Sequence, residues 1–481
     1  MTAAGTEAAP GTVQELVERA LSSATLPAVV LLTERWEANL RWAGNALTTN
    51  GEMHTRTLTV VATAPVAGGT AVGTVSREVS EAAEVAEVVA AAEQLARSGP
   101  PSENAAPLVE GAAPSPGWAE PPATTGIEVL APVAAGLGAA FAGAGRDAHL
   151  LYGFAEHVVT TSYLASSTGL RLRGVQPTGR FEFNAKSEDG VRSAWVGAAS
   201  RDFTDVDVAA LHGELRTRLG WAATSVELPA GRYETLLPPG AVADLMIYAW
   251  WTASARDAEE GRNVYGAGAG GTRIGERLSP LPVTLSSDPS HPGLETVPFV
   301  DYAASEDGTS FVFDLGLPIE PVDWISEGVL TELVRNRAQA AGSGTAPTPP
   351  ADNLIMEVRP RAIMDDADRQ QGQATLAQMI KNTERGLLLT CLWYIREVDP
   401  EPLLLTGLTR DGVYLIEHGE VTGAVNNFRF NESPIDLLGR ITEVGAAEPT
   451  LCREWNDFVN RTVMPPIRVP DFHMSTVSQA S

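Results

Sequence analysis

The histidines of this chain are too far apart in sequence to form a local zinc motif. The seven histidines are His54, His149, His157, His212, His291, His418 and His473. No two of them lie within five residues of each other. A zinc-binding helix such as H-E-x-x-H needs two histidines about one turn apart, since a helix advances about 3.6 residues per turn. A metal site assembled from distant residues stays open, but each histidine alone is typical of a structural or surface residue.

The two cysteines are the next candidates for chemistry. Cys391 lies in the apolar run "LLLTCLWY", which is typical of a buried strand thiol. Cys452 lies in "PTLCREWNDF", where the neighbouring Arg453 could favour a thiolate. A nucleophilic cysteine also needs a base, and no histidine is close in sequence. We therefore interpret Cys452 as structural and keep a divergent enzyme that uses this thiol as an alternative.

A glycine-rich segment, "GAGAGG" at residues 266–271, matches the dinucleotide pattern G-x-G-x-x-G through Gly266, Gly268 and Gly271. In a nucleotide-binding fold this pattern follows a strand and opens a helix, whereas here it follows a predicted helix and opens no βαβ unit. We interpret it as a flexible loop. The sequence also contains no G-x-S-x-G elbow and no Walker A loop.

The composition indicates a folded, acidic protein. The chain has 481 residues, of which 44% are hydrophobic, enough for two or three domains. Acidic residues outnumber basic ones 60 to 34 and no run of Lys or Arg occurs, which argues against nucleic acid and anionic membranes as partners. The N-terminus lacks the pattern of a signal peptide, and we expect the apolar run at 130–145 to be too short and too rich in Gly and Ala to span a bilayer. With only two cysteines, we expect a cytoplasmic location.

The order of predicted elements divides the chain into two parts. Residues 1–225 mix helices and strands, with a hairpin turn expected at Asn50-Gly51 and a Pro/Gly-rich loop or linker at 98–117. Residues 226–481 are predicted to be mostly β with a few helices. The sequence therefore predicts an α+β fold with a mixed α/β N-terminal domain and a β-rich C-terminal domain.

One stretch, "AVADLMIYAWWTASA" at 241–255, carries a single charge, Asp244, in a chain of net charge −26. Pro239 and Gly240 mark where its helix would begin. An apolar helix of this kind is either buried on all sides or lines a pocket. The sequence pattern leaves both interpretations open.

Five blocks of the sequence together resemble the TldD/PmbA family, also called modulator of DNA gyrase proteins. The blocks are "NLRWAGNALTTNG", "GVRSAWVGAASRDFTDVD", "GTRIGERLS", "GVYLIEHGEVTGAVNNFRFNESPIDLLGRI" and "MPPIRVPDFHMSTVSQ". The last block looks like the TldE/PmbA branch of the family. The resemblance covers nearly the whole chain and implies the same two-part fold, in a cytoplasmic zinc peptidase complex of two related subunits.

The resemblance also implies that this chain lacks the zinc site of its sister subunit. In a TldD-type subunit an H-E-x-x-x-H helix and a later cysteine hold zinc, and the Glu activates the bound water. In this chain Ile247, Tyr248 and Thr252 occupy the positions of the first His, the Glu and the second His, and Cys452 falls near the cysteine ligand. Five residues of ideal helix rotate a side chain by roughly 140°, so the motif needs a π-type widening or a helix end.

The function implied is that of a non-catalytic TldE/PmbA-type subunit with no cofactor of its own, paired with a TldD-type H-E-x-x-x-H partner that holds the zinc. Its substrates would be peptides, in leader-peptide trimming or peptide degradation, or a small amide conjugate of a natural-product pathway. A stand-alone peptide- or ligand-binding protein without hydrolase activity is the alternative. We name Arg273, Asn426, Asn427 and Arg429 as candidate substrate-binding residues, although the Asn-rich loop could be a capped turn.

Overall fold

The computed structural model of the chain describes residues 12–79, 84–111, 113–268, 270–359 and 370–478. Ala269 of the predicted glycine loop lies outside the described residues. The N-terminal part is a six-stranded antiparallel sheet with the order β3-β2-β1-β4-β5-β6. Its strands are β1 (Ala28–Ala43), β2 (Ala46–Val66), β3 (Gly69–Glu78), β4 (His149–Ser166), β5 (Arg171–Ser187) and β6 (Ser193–Ser200).

Helices cover one face of this sheet. They are α1 (Val13–Ser23), α2 (Glu84–Ser98), α3 (Ala131–Arg146), which follows a 3-10 turn at Ile127–Leu130, and α4 (Val208–Trp221). Because successive strand residues point to opposite faces, Val30 and Leu32 of β1 pack with α1 and α2. Val29 and Leu31 point the other way and join the core of the C-terminal part. The sheet is therefore buried on both faces at this end.

The first hairpin turns earlier than its sequence predicts. Asn50 and Gly51 lie inside β2, where they pair with Leu40 and Asn39 of β1. The turn is made by Gly44 and Asn45, whose φ angles are 59° and 66°. A two-residue hairpin turn of this type needs positive φ at both positions, which glycine and asparagine tolerate best. The prediction of a turn at Asn50-Gly51 was wrong because a second suitable pair precedes it.

The apolar run of the N-terminal part is longer than the sequence pattern suggested. The helical segment Ile127–Arg146 has 20 residues and a mean hydropathy of 1.6, so by length and composition it could cross a membrane. The expectation that it is too short was therefore wrong. In the fold, Val133, Leu137 and Ala140 of this segment are buried against the sheet and α4, whereas only 28% of its most apolar stretch is buried.

The C-terminal part contains two further sheets, and its predicted β-rich character is confirmed. One has the order β11-β10-β9-β12-β21-β20, and the other has the order β14-β15-β18-β22-β8-β13-β16-β17-β7, with β19 paired to β22. The strands are β7 (Ser225–Val226), β8 (Gly231–Leu237), β9 (Val283–Ser287), β10 (Val322–Ser326), β11 (Val329–Leu330), β12 (Leu354–Val358), β13 (Arg385–Leu389), β14 (Trp393–Asp399), β15 (Leu404–Leu408), β16 (Val413–Glu417), β17 (Glu420–Val425), β18 (Phe428–Glu432), β19 (Glu443–Val444), β20 (Glu448–Thr450), β21 (Thr462–Met464) and β22 (Ile467–Val477).

The longest helix described in this part is α5, which runs through its core. The helices are α5 (Pro239–Trp251), α6 (Ala255–Glu259), α7 (Arg337–Ser343) and two further short ones, Leu376–Lys381 and Pro434–Leu438. Residues 241–247 of α5 are all 0% exposed, so the helix is surrounded by protein on every side there. Burying one Leu, Ile or Met side chain in this way contributes about 1.5–3 kcal/mol. The prediction of a fully buried helix is confirmed for this stretch.

Candidate functional site

The positions that would carry zinc ligands in a sister subunit lie at the C-terminal end of α5. Ile247 is 0% exposed and packs in the core. Tyr248 is half-buried, and its ring contacts Trp251 and Trp455 at centroid distances of 6.4 and 5.6 Å. The helix ends at Trp251, and Thr252 caps it by donating from Oγ1 to the carbonyl of Ala249 at 3.0 Å. Of the two geometries expected for the H-E-x-x-x-H positions, a π-type widening or a helix end, α5 therefore shows a helix end.

Cys452 lies next to this helix, in the loop between β20 and β21. Its thiol is 0% exposed and donates from Sγ to the carbonyl oxygen of Val459 at 3.3 Å. Burial raises the pKa of this thiol well above its usual value, and the charge of Asp244 acts in the same direction. The suggestion that Arg453 favours a thiolate was therefore wrong, because burial dominates.

These four side chains do not fit a zinc ion. Ile247 has no donor atom, and the Thr252 hydroxyl is committed to its own helix. Burial raises the pKa of the Tyr248 phenol, and the charge of Glu397 raises it further, so that the ring is neutral at pH 7. Zinc binds thiolate, imidazole or carboxylate groups, and the position leaves only one protonated thiol. Among the described residues, no group of three or more His, Cys, Asp and Glu side chains is placed to hold a metal.

A cleft opens beside the end of α5. Its first part, the aromatic recess, has a volume of about 300 Å³ and is lined by Trp250, Trp251, Phe458 and the loops 301–307 and 350–352. The rings of Trp251 and Phe458 meet edge to face, with centroids 5.8 Å apart. Phe458 is 62% exposed, which is unusual for a large aromatic side chain. The end of α5 therefore lines a pocket, and both interpretations of the apolar helix hold for different parts of it.

The second part of the cleft, the polar recess, also has a volume of about 300 Å³ and lies against the N-terminal sheet. Arg35 of β1, Glu156 of β4 and Arg180 of β5 point into it from the face of the sheet that carries no helices. Arg180 donates from Nε to Glu156 at 3.1 Å and from Nη1 to Asn456 Oδ1 at 2.7 Å. Burial raises the pKa of Glu156, while the Arg180 charge opposes this shift.

Arg461 joins the two parts of the chain at the floor of the cleft. Its guanidinium donates from Nη1 to Asp352 Oδ2 at 2.5 Å and from Nη2 to the Pro177 carbonyl of β5 at 3.2 Å. Nη2 also donates to the hydroxyl of Thr178. Burial lowers the pKa of Arg461, and the charge of Asp352 raises it. Asp352 is thus a paired carboxylate.

Asp301 is shared by the two recesses and has an altered acidity. Burial raises its pKa to about 6, although the Ser162 hydroxyl, which donates to Oδ2 at 2.7 Å, favours the ionised form. The charge of Asp352 raises the pKa further. Burial also raises the pKa of Asp352, although 54% of this side chain is accessible, because the cleft surrounds it with protein atoms. Carboxylates with raised pKa values in a cleft are typical of binding sites.

The four candidate substrate-binding residues lie outside this cleft. Arg273 forms a bidentate ion pair with Glu276, at 2.7 and 2.8 Å, and donates to the Val264 carbonyl. Asn426 accepts from the Leu228 amide at 2.7 Å, and Arg429 is exposed beside Thr406. Asn427 accepts a hydrogen bond at its carbonyl from the amide of Ser478. The Asn-rich segment therefore joins β17 to β18 as a bonded turn, and a substrate role for these residues stays a prediction.

The sequence patterns did not identify the residues of the cleft, because these residues come from four distant segments of the chain. Asp301, Asp352 and Phe458 stand on three separate loops of the C-terminal part, and no local motif connects them. One signal was visible in the sequence. In β5, the polar residues Gln176, Thr178, Arg180 and Glu182 alternate with apolar residues or glycine, which indicates a polar sheet face.

The fold defines the class of this protein: a two-part α+β chain whose central buried helix ends at a cleft. Residues 230–476 match the profile of the PmbA/TldA metallopeptidase C-terminal domain. Because this match spans more than half of the chain, the protein belongs to the PmbA/TldD family. The resemblance seen in the sequence is thereby confirmed, as is the predicted fold class.

Solved structures share this fold over nearly the whole chain. TldE from Thermococcus kodakarensis is 17% identical with a TM-score of 0.74, and the match covers 96% of this chain and 99% of that chain. A candidate modulator of a DNA gyrase from Thermotoga maritima is 17% identical with a TM-score of 0.72, covering 96% and 100%. Another from Bacteroides thetaiotaomicron is 15% identical with a TM-score of 0.68, covering 96% and 98%. A comparison with curated protein sequences finds no significant match.

Proposed function

We propose that this chain is the non-catalytic, TldE/PmbA-type subunit of a heterodimeric zinc metallopeptidase, whose zinc is held by a TldD-type partner with an H-E-x-x-x-H helix. The observation that carries the proposal is the end of α5. There the scaffold of the motif is kept, while Ile247 and Thr252 replace the two histidine ligands and Tyr248 replaces the general base. In this role the chain completes the substrate chamber of its partner in the cytoplasm.

Peptides are the proposed substrates, in leader-peptide trimming or in degradation, with a small amide conjugate as the other possibility. An exposed strand edge supports the choice of peptides. Strand β14 lies at the edge of the third sheet and exposes Tyr394 and Val398, which are 53% and 55% accessible. An extended peptide can add to such an edge through backbone hydrogen bonds, in a manner tolerant of its sequence.

The test is co-expression of this chain with an H-E-x-x-x-H paralogue from the same source, followed by size exclusion, zinc counting and a peptidase assay. We expect one peak with both chains, one zinc ion per pair, and activity confined to the pair. The matched control is a partner whose motif Glu is changed to Gln, which should form the same complex without activity. Separate elution of the two chains, or zinc and activity in this chain alone, would contradict the proposal.

The second candidate function is that of a stand-alone binding protein. It is favoured by the cleft, in which Trp250 and Trp251 line a recess of ligand size. A purified chain that stays monomeric beside the paralogue, yet shows saturable quenching of its tryptophan fluorescence by peptides, would favour this candidate over the subunit role.

A further inference from the structure

The aromatic recess carries negative charge that its own residues do not neutralise. Asp301, Glu306, Asp307 and Asp352 line it, and no Lys, Arg or His stands among the described residues of its lining. Among the described residues, Asp352 is the one carboxylate of this lining that forms an ion pair, with Arg461. Asp301 and Asp307 accept hydrogen bonds from hydroxyl and amide groups, such as Ser162 Oγ and Thr309 N, which leave the charge in place.

Two buried polar atoms at the recess have no hydrogen-bond partner among the described residues. One is the indole nitrogen of Trp250, a side chain that is 8% exposed, and the other is Oδ2 of Asp307. Buried polar atoms without a partner are rare in folded proteins. Both atoms are fully covered by protein, so they lie behind the lining of the recess and not on its surface.

The walls of the recess suit a cation that carries an apolar group. Trp251 and Phe458 present aromatic surface, and the faces of aromatic rings attract positive charge as well as apolar groups. A bound metal ion fits less well, because no group of three acidic, His or Cys side chains among the described residues is placed to chelate one.

We propose that the aromatic recess binds a primary ammonium group carried on an apolar stem, with Asp301, Glu306 and Asp307 balancing its charge while Trp251 and Phe458 cover the stem. Such an ammonium has two peptide sources, the free N-terminus and a lysine side chain. The site lies within this chain, so it stands or fails independently of the subunit role.

The test is calorimetric titration of the isolated chain with three probes. They are phenylalanyl-alaninamide, its N-acetylated form, and Nα-acetyl-lysine methylamide. We expect saturable binding of the two ammonium probes. The acetylated dipeptide keeps the apolar stem but lacks the charge, so its affinity should be lower than theirs by roughly tenfold or more. Tighter binding of the first probe identifies an N-terminus as the ligand, and tighter binding of the third identifies a lysine side chain.

Three variants connect binding to the recess. Asp301→Asn and Glu306→Gln should each weaken binding of the ammonium probe, together by roughly tenfold or more. Glu306 is exposed, so its variant keeps the test valid should Asp301→Asn fold poorly. The matched control is Glu420→Gln, at an exposed position of the β16–β17 hairpin outside the cleft, which should leave binding unchanged. Equal binding of the acetylated probe, unchanged binding by the recess variants, or no binding of any probe would overturn the proposal.

Discussion

Asp244 of α5 and Glu454 of the β20–β21 loop are joined by a hydrogen bond, in which the Glu454 amide donates to Asp244 Oδ1 at 2.8 Å. The Arg453 amide donates to Oδ2 of the same carboxylate at 3.2 Å, and the Trp455 indole donates to the Asp244 carbonyl at 3.0 Å. These bonds hold the segment after Cys452 against the central helix. The loop that carries Phe458 to the cleft is therefore positioned by one residue of α5.

Asp244 should make the stability of the protein depend on pH. Burial raises its pKa from 3.8 to about 8, against the effect of the two amides. A carboxyl whose pKa is raised on folding stabilises the fold fully below its unfolded pKa, and that contribution is lost as pH rises through the folded pKa. We expect the free energy of unfolding contributed by Asp244 to fall by about 2 kcal/mol between pH 6 and pH 8.

Denaturant titrations of the protein and of Asp244→Asn at both pH values measure this effect. The Asn side chain keeps one oxygen as an acceptor and replaces the other with an NH2 group. Loss of that hydrogen bond should lower the free energy of unfolding by about 1 kcal/mol, independently of pH. The stability of the unaltered protein relative to the variant should therefore fall by about 2 kcal/mol between pH 6 and pH 8, in favour of the variant. Glu420→Gln, which changes an exposed carboxylate outside the cleft, is the matched control, and a relative stability of the unaltered protein that is constant or rises with pH would show that the pKa of Asp244 is not raised.

Restoring a zinc ligand at the first motif position should cost stability. Ile247→His places a polar ring in a core position that is 0% exposed, which we expect to lower the free energy of unfolding by about 3 kcal/mol. Ile247→Val, which removes one methylene group, should cost only about 1 kcal/mol. Thr252→His, at the half-buried helix cap, should cost less than about 1 kcal/mol. Chemical unfolding of the three variants checks this order, and a histidine at 247 as well tolerated as valine would contradict it.

Binding of an ammonium ligand in the aromatic recess should weaken at acidic pH. The pKa of Asp301 is raised to about 6 by burial and by the charge of Asp352, which in turn faces Arg461. Ser162 donates to Asp301 from β4, and Glu306 and Asp307 share the recess. A proton that binds Asp301 removes the charge that the ligand needs. We expect roughly tenfold weaker binding of phenylalanyl-alaninamide at pH 5 than at pH 7.5.

The comparison with Asp301→Asn isolates this contribution. The variant should bind the dipeptide amide weakly at both pH values, with a flatter pH dependence than the unaltered protein. Binding that strengthens as the pH falls would be the opposite of the expected sign.

The thiol of Cys452 should be inert in the folded protein. It is buried and its pKa is raised well above the usual value, so we expect its reaction with a disulfide reagent to be roughly 100-fold slower than in denaturant. Cys452→Ser should also leave the activity of any active complex unchanged, with Cys391→Ser as the buried control. Rapid labelling of the native protein, or activity lost in a folded Cys452→Ser variant, would support a divergent enzyme that uses this thiol.

The local elements were predictable from the sequence, because they follow from patterns of a few residues. The start of α5 at Pro239 was indicated by the Pro239-Gly240 pair and its burial by the apolar run, and its end at Trp251 is one of the two geometries that the motif allowed. The hairpin at Gly44-Asn45 was missed because Asn50-Gly51 offers equally good turn chemistry. The pairing of β1 with β2 places Asn50 and Gly51 inside the ladder.

The cleft was beyond local patterns for a different reason. Its charge depends on which carboxylates acquire a cationic neighbour, and the pairing of Asp352 with Arg461 spans 109 positions of the chain. The exposure of Phe458 is likewise set by tertiary packing, since its neighbour Val459 is buried in the core. Such features are fixed only when distant loops meet.

The apolar cluster that surrounds α5 reaches into both parts of the chain. Val29 and Leu31 of the N-terminal sheet belong to the same cluster as Leu245 and Ile247 of the central helix. Cutting the protein at residue 225 would expose a hydrophobic surface on each fragment, so we expect neither fragment to be soluble when expressed alone. Heating the intact chain should unfold both parts in a single cooperative transition. We therefore expect the boundary at residue 225 to separate two sheet topologies and not two units that fold independently.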